Sequence, residues 1–157
     1  MSLHLRPLTM LDLLSVCRYI VTDELGQEHA FLGQALDSES RALRTWHFPG
    51  PKWAVADESE QAIAAGGFIE KRPGVAESWF LSTSDTWKHA DVTDLVKSVK
   101  DGALVETYHR VETVSLASRE RAHRWYARLG MQKEATLKKY CADGQDAVLF
   151  VSTRETV

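Results

Sequence analysis

The 157-residue sequence predicts a mixed α/β domain built on one main sheet. Three observations carry that expectation. The length suits one compact core and leaves little room for two, so residues 1–157 are expected to form a single domain. The middle of the chain carries three short β-like segments joined by turn residues. Apolar residues at helical spacing precede and follow them. The expected order is β-α-α-β-β-β-α-β-α-β-β, a mostly antiparallel sheet flanked by helices.

The elements follow from local patterns. His4-Leu5-Arg6 reads as a short strand stopped by Pro7. Thr9-Met10-Leu11-Asp12 is a capping box, with the Thr9 hydroxyl and the Asp12 carboxylate each able to reach the other's backbone N–H. In the helix it opens, Leu13, Val16, Cys17 and Ile20 recur at i, i+3, i+4 and i+7 and are expected to be buried, Cys17 as a small core hydrophobe. Thr22-Asp23-Glu24 begins a second helix with an apolar side at Phe31, Leu32 and Ala35. Ser38 to Trp46 adds a further turn or two before Phe48-Pro49-Gly50-Pro51 ends it. Trp46-His47-Phe48 fits either a substrate-side loop or a hydrophobic plug.

Trp53 to Ala56, Ala62 to Ile69 and Ala76 to Ser82 then read as an antiparallel meander with a turn at Lys71-Arg72-Pro73-Gly74. Gly66-Gly67 inside the middle strand signals a bulge or a close approach by another group. Val92, Leu95, Val96, Val99 and Ala103 have helical spacing. Arg110 to Leu116 alternates as a strand. Ser118 is placed to cap a helix with the stripe Ala122, Trp125, Tyr126 and Leu129, and Gly130 follows where a left-handed residue is expected. Met131 to Tyr140 and Ala147 to Ser152 complete a hairpin.

Composition excludes several function classes. Nineteen Lys and Arg against 22 Asp and Glu give a net charge of -3, not the cationic excess that phosphate neutralisation along a nucleic acid needs. No apolar run approaches the ~20 residues that span a bilayer, and the first residues do not read as a signal peptide, so a cytoplasmic place is expected. Cys17 and Cys141 make no disulfide framework, and His4, His29, His47, His89, His109 and His123 lack the paired spacing of a zinc site, so no metal is expected.

The element order together with Ser118-Arg-Glu-Arg-Ala-His-Arg-Trp-Tyr-Ala-Arg-Leu-Gly-Met131 resembles the GCN5-related N-acetyltransferase (GNAT) family. Members carry an Asn, an Ala, a Tyr and a Gly-Phe pair at this spacing on their last helix. Ala122, Tyr126 and Gly130 stand in matching places, Met131 replaces the aromatic, and Arg119 occupies the Asn position. A narrower resemblance lies in Ala76-Glu-Ser-Trp-Phe-Leu-Ser-Thr-Ser84 and in His123-Arg124-Trp125 before Leu-Gly. These are similar to acetyltransferase-fold proteins of tailed bacteriophages, among them internal virion proteins.

The GNAT resemblance implies acetyl-coenzyme A as cofactor and direct transfer of its acetyl group to an amine. It places the cofactor along the fourth strand, making Leu81, Ser82, Thr83 and Ser84 candidates to meet the pantetheine arm. It puts Tyr126 where the departing thiolate is protonated, a task a phenol that stays protonated at neutral pH can perform. For the base, Glu77, Glu112 and Glu70 each lie on a strand near the implied slot, and Glu77 is preferred. Family members hold the pyrophosphate with a Gly-rich turn between this strand and the next helix. Here Ser82-Thr-Ser-Asp-Thr-Trp-Lys-His-Ala-Asp91 contains no glycine, Asp85 and Asp91 oppose an anion, and only Lys88 and His89 favour one. Ser84 or Thr86 is placed to cap the following helix. Arg119, Arg121, Arg124 and Arg128 read as the solvated face of the last helix, with Arg119 and Arg121 within reach of a phosphate. Two functions follow. One is an N-acetyltransferase acting on an amine. The other is a non-catalytic structural or interaction protein on the same fold, for which the phage resemblance implies a place in a virion or a phage or host protein partner.

Overall fold

In the computed structural model, residues 2–157 are described. One sheet of seven strands runs through the protein in the order β1-β2-β3-β4-β5-β7-β6, and five α-helices cover its two faces. The strands are β1 (His4–Pro7), β2 (Lys52–Ala56), β3 (Ala62–Arg72), β4 (Val75–Ser82), β5 (Arg110–Leu116), β6 (Gln132–Leu137) and β7 (Ala147–Thr153). The helices are α1 (Met10–Arg18), α2 (Thr22–Leu32), α3 (Ser38–Trp46), α4 (Val92–Glu106) and α5 (Glu120–Arg128).

Most expected boundaries follow from short-range chemistry. The capping box forms as read: the Thr9 hydroxyl accepts from the Asp12 N–H at 3.1 Å and Asp12 accepts from the Thr9 N–H at 3.0 Å. Leu13, Val16 and Cys17 are buried beneath α1, but the helix ends at Arg18. Ile20 therefore leaves the stripe and pairs with Thr83 in an isolated bridge. The segment read as one helix with an extension divides into α2 and α3. Gly33 takes φ 76°, which stops α2, and the Asp37 carboxylate caps the Ser40 N–H at 2.7 Å to start α3.

Two expected caps differ. Ser118 caps nothing, because α5 begins after Arg119 with no side-chain cap. Neither Ser84 nor Thr86 caps α4, which begins after Asp91, since Thr86 is committed to the loop below. Gly66 and Gly67 mark close approaches and not bulges; the register shifts lie at Val55/Ala56 and Glu70/Arg72. A Cβ on Gly66 would fall 2.3 Å from the Trp53 ring and one on Gly67 2.5 Å from the Pro51 carbonyl, so β3 admits an indole on either side only because both are glycine.

The core is two-sided. On one face Val55, Phe68, Ala76 and Val111 pack under Val92, Val96 and Leu104 of α4. On the other, Leu13, Val16 and Cys17 of α1 and Ala42 of α3 pack on Ala54 and Ala65, with Trp79 and Leu81 beside them. Ala30 and Phe31 of α2 join Leu116, Ala147 and Cys141 on that same side, so α2 lies over the junction between the two halves of the sheet.

Candidate active site

The junction is where the sheet fails to close. Strands β4 and β5 form the single parallel pair, and they pair over three residues only: Val75 with Arg110, Ala76 with Val111, and Glu77 with Glu112. Beyond that point β4 stays with β3 as far as Ser82, while β5 stays with β7 as far as Leu116. The strands part, leaving facing edges whose N–H and C=O groups need other partners.

Side chains supply several of them. At the closed end, the Ser78 hydroxyl donates to the Glu112 carbonyl at 3.5 Å and the Thr113 hydroxyl to the Ser78 carbonyl at 3.3 Å. At the open end α2 reaches both strands. The Val21 N–H donates to the Ser82 carbonyl at 3.1 Å, and the Ser82 N–H and hydroxyl both donate to the Glu24 carboxylate. One turn on, Gln27 Oε1 accepts from the Leu116 N–H at 2.9 Å. Glu24 and Gln27 stand at i and i+3, so one face of α2 bridges the gap.

Between these ends lies a cavity of about 740 Å³, bordered by residues from both faces of the sheet, among them Trp79 and Phe48 on one side and Phe80, Trp125 and Tyr126 on the other. That volume is ample for a small organic ligand. Its α5 wall is aromatic: Trp125 lies 5.2 Å from Phe80 and 5.1 Å from Trp87, and Tyr126 lies 5.2 Å from Phe150. The apolar stripe of α5 serves both core and cavity: Leu129, just past the helix, is buried, while Trp125 and Tyr126 pack against the core and also border this space. The indole N–H groups of Trp53 and Trp79, both bordering the cavity, find no acceptor among the described residues. Trp46-His47-Phe48 divides its roles: Phe48 packs edge-on against Trp79 at the cavity, and Trp46 is partly exposed.

The slot gathers some of the expected residues and leaves others outside. Tyr126 stands within it, its hydroxyl accepting from Arg119 Nη1 at 3.4 Å. Burial pushes its pKa up against the opposing pull of Arg119, so the phenol keeps its proton at neutral pH. Glu77 borders the cavity at its closed end, its pKa raised by burial and by Glu112, with Lys71 pulling the other way. Glu112 is ion-paired to Lys71 at 2.8 Å and Arg110 at 2.9 Å and held below the usual carboxylate range, which suits it poorly to accept a proton. Leu81 and Ser82 border the cavity.

Thr83 does not border it, since its hydroxyl donates to the Ile63 carbonyl at 2.8 Å and its N–H to Thr86 Oγ1 at 3.0 Å. Thr86 Oγ1 donates to the same carbonyl at 2.6 Å, stapling the loop after β4 onto β3. Ser84 is exposed in that loop, and Lys88 is paired with Asp85 at 2.9 Å, so neither reaches the cavity. Arg119 borders it but is bonded to Asp23 at 2.7 Å and Gln27 at 2.8 Å.

Glu24 is the site residue that sequence reading missed. Burial raises its pKa from the usual 4.5 to about 7, despite the two Ser82 donors and the nearby Arg119. A carboxyl tuned to neutral pH in a cavity is a marker of chemistry. The only local signal was an acidic residue three positions before Gln27 in a weakly patterned helix. Among the described residues, no group of three or more His, Cys, Asp or Glu is placed to hold a metal ion.

Solved structures share this architecture. The spermidine N-acetyltransferase of Vibrio cholerae in complex with CoA and spermine matches with a TM-score of 0.76 at 16% identity, covering 98% of this chain and 96% of the other. A GNAT-family acetyltransferase from Bacillus anthracis matches with a TM-score of 0.74 at 13% identity, covering 99% and 96%. A chimera built on the Vibrio enzyme matches with a TM-score of 0.73 at 17% identity, covering 99% and 97%. No protein-family model matches the chain, and no curated protein matches it by sequence. Identities this low speak to architecture alone, and the seven-stranded mixed sheet with its five flanking helices has the GNAT fold.

Proposed function

We propose that this protein is an acetyl-coenzyme A-dependent N-acetyltransferase acting on an amine. The observation that carries the reading is the parting of β4 from β5 after Glu77, with Tyr126 among the residues that border the opened space. The cavity reaches both faces of the sheet, so a thioester entering from the α4–α5 side and an amine entering from the α1–α3 side would meet between the strands. Acetyl-coenzyme A, when bound, supplies an activated carbonyl. Leu81 and Ser82 on the parted edge of β4, with Phe80 and Trp125, would hold its pantetheine arm. The two unpaired indole N–H groups are donors in want of an acceptor, which a bound ligand or water would provide.

Two proton movements fall to the chain's own groups. An amine must lose a proton, and Glu77 accepts it at a carboxylate oxygen, its basicity raised by burial. The departing sulfur must gain a proton, and Tyr126 donates it from its hydroxyl, with Arg119 stabilising the oxygen left behind. Glu24, with a pKa near 7, is a second carboxyl suited to pass the amine's proton to solvent. The Vibrio neighbour holds spermine, so polyamines are the first acceptors to try. The test incubates the protein with acetyl-coenzyme A and a panel of polyamines, small amines and lysine peptides. Thiol release and mass of the acceptor are followed. Acetylated product is expected for one class; absence of product together with absence of coenzyme A binding would refute the reading.

A second reading has its own observation. The N–H groups of Ser82, Thr83 and Leu116 near the slot mouth are already bonded to Glu24, Thr86 and Gln27, and the loop after β4 has no glycine. On that reading the chain is a non-catalytic structural or interaction protein, and its place in a phage particle rests on the narrower sequence resemblance alone. Fixed copy number in purified virions would support it. No α-helix among the described residues is long and apolar enough to cross a membrane.

A further inference from the structure

Three exposed cations border the cavity. Arg121, Arg124 and Arg128 recur at i, i+3 and i+7 along α5, and among the described residues none forms an ion pair. The other cations around the cavity are occupied. Arg41 is paired with Glu28 at 2.7 Å, Lys100 with Asp101 at 2.8 Å and Arg119 with Asp23 at 2.7 Å, while Arg44 lies over the Phe48 ring. Of the carboxylates that border the cavity, Asp23 and Glu28 are taken by those ion pairs and Glu24 by Ser82, and Glu77 stands at the closed end on β4.

The location of the stripe is fixed. Trp125, which sits within it, donates from Nε1 to Thr93 Oγ1 in the first turn of α4 at 3.0 Å and packs against Trp87 of the loop after β4. The arginines therefore lie on the helix that packs against the loop after β4. In that loop the N–H groups of Thr83, Thr86, Lys88 and His89 are bonded internally, and Lys88 is spent on Asp85. Like charges at this helical spacing repel, so an isolated α5 is weakened by its own stripe. A bound polyanion removes that conflict, and a guanidinium grips a phosphate with two parallel N–H donors.

We infer that Arg121, Arg124 and Arg128 are the phosphate-binding wall of the cavity, holding the pyrophosphate and 3′-phosphate of a coenzyme A by side chains where a glycine-rich turn would use its backbone. This rests on the acetyl-coenzyme A reading above. It moves the anion site from the loop after β4 onto α5.

The test titrates the full-length chain with coenzyme A, dephospho-coenzyme A and pantetheine, followed by tryptophan fluorescence, which reports through Trp87 and Trp125, and by calorimetry. Arg124→Ala and Arg128→Ala are each expected to weaken coenzyme A binding by on the order of tenfold while leaving pantetheine binding unchanged. Lysine at either position should restore part of the loss, because it returns the charge without the fork. Arg72→Ala, which removes a charge outside the cavity, is the control and should bind as the wild type does. All are surface changes, and thermal melts confirm the fold. Wild-type binding of coenzyme A and pantetheine with equal affinity, or arginine variants that bind coenzyme A as the wild type does, would overturn the arginine wall and leave the acetyltransferase reading standing. A wild-type chain that binds neither ligand overturns both.

Discussion

Glu24→Gln probes the contact that holds α2 across the parted strands. The Glu24 carboxylate accepts from the Ser82 N–H at 3.0 and 3.1 Å and from the Ser82 hydroxyl, yet burial dominates and raises its pKa from 4.5 to about 7. The folded chain therefore binds this proton more tightly than the unfolded one. Between about pH 4.5 and 7 the native state carries the extra proton, so this group's contribution to stability is present at low pH, falls as pH rises through the window and levels off above it. From pH 5 to pH 8 the loss amounts to roughly 2 to 3 kcal/mol. Glutamine does not titrate, and its amide oxygen still accepts from Ser82. Urea unfolding of both proteins at several pH values isolates the effect, since every other group cancels in the difference. The variant should match the wild type near pH 5 and exceed its stability by roughly 2 to 3 kcal/mol near pH 8. Parallel stability curves from pH 5 to 8 would refute the claim that the bridge is made by a carboxyl held at a cost.

Tyr126→Phe should leave stability within about 1 kcal/mol, because Arg119 keeps Asp23 and Gln27, while acetyl transfer falls about a hundredfold or more; an unchanged kcat in a thiol-release assay would remove the phenol from the reaction. Arg41→Ala strips the buried Glu28 carboxylate of its cation and the Leu36 carbonyl of its donor, at an expected cost of about 3 to 5 kcal/mol in chemical denaturation. Gly67→Ala drives a Cβ to 2.5 Å from the Pro51 carbonyl and 2.8 Å from Trp79 Nε1, and should cost roughly 3 kcal/mol; a neutral result would show that β2 and Trp79 yield freely.

Much of the fold was legible because its signals are local. The Thr9–Asp12 box, the α1 stripe, the meander from Trp53 to Ser82 and the α4 period each involve residues a few positions apart. The division of α2 from α3 was harder, since it depends on Gly33 taking a left-handed conformation and on Asp37 capping, in a stretch whose apolar pattern is weak. Tyr126 entered the candidate site through the GNAT resemblance, since its spacing alone fits a core stripe equally well. Glu24 did not, because its altered pKa comes from burial against Ser82, which is 58 residues away. The arginines of α5 read as a solvated face, and Arg121, Arg124 and Arg128 are indeed exposed; that they also border the cavity depends on how α5 packs, which helical spacing does not say.

The amino-acid order by itself determined the succession of helices and strands, which positions are apolar and that the loop after β4 is built without glycine, since periodicity and backbone freedom act within a few residues. Only the tertiary structure decided that β4 and β5 part after three paired residues, that α2 spans the opening and that Glu24 becomes hard to ionise. Strand pairing and dielectric environment are set by groups brought together from distant parts of the chain, and no short window of sequence contains them.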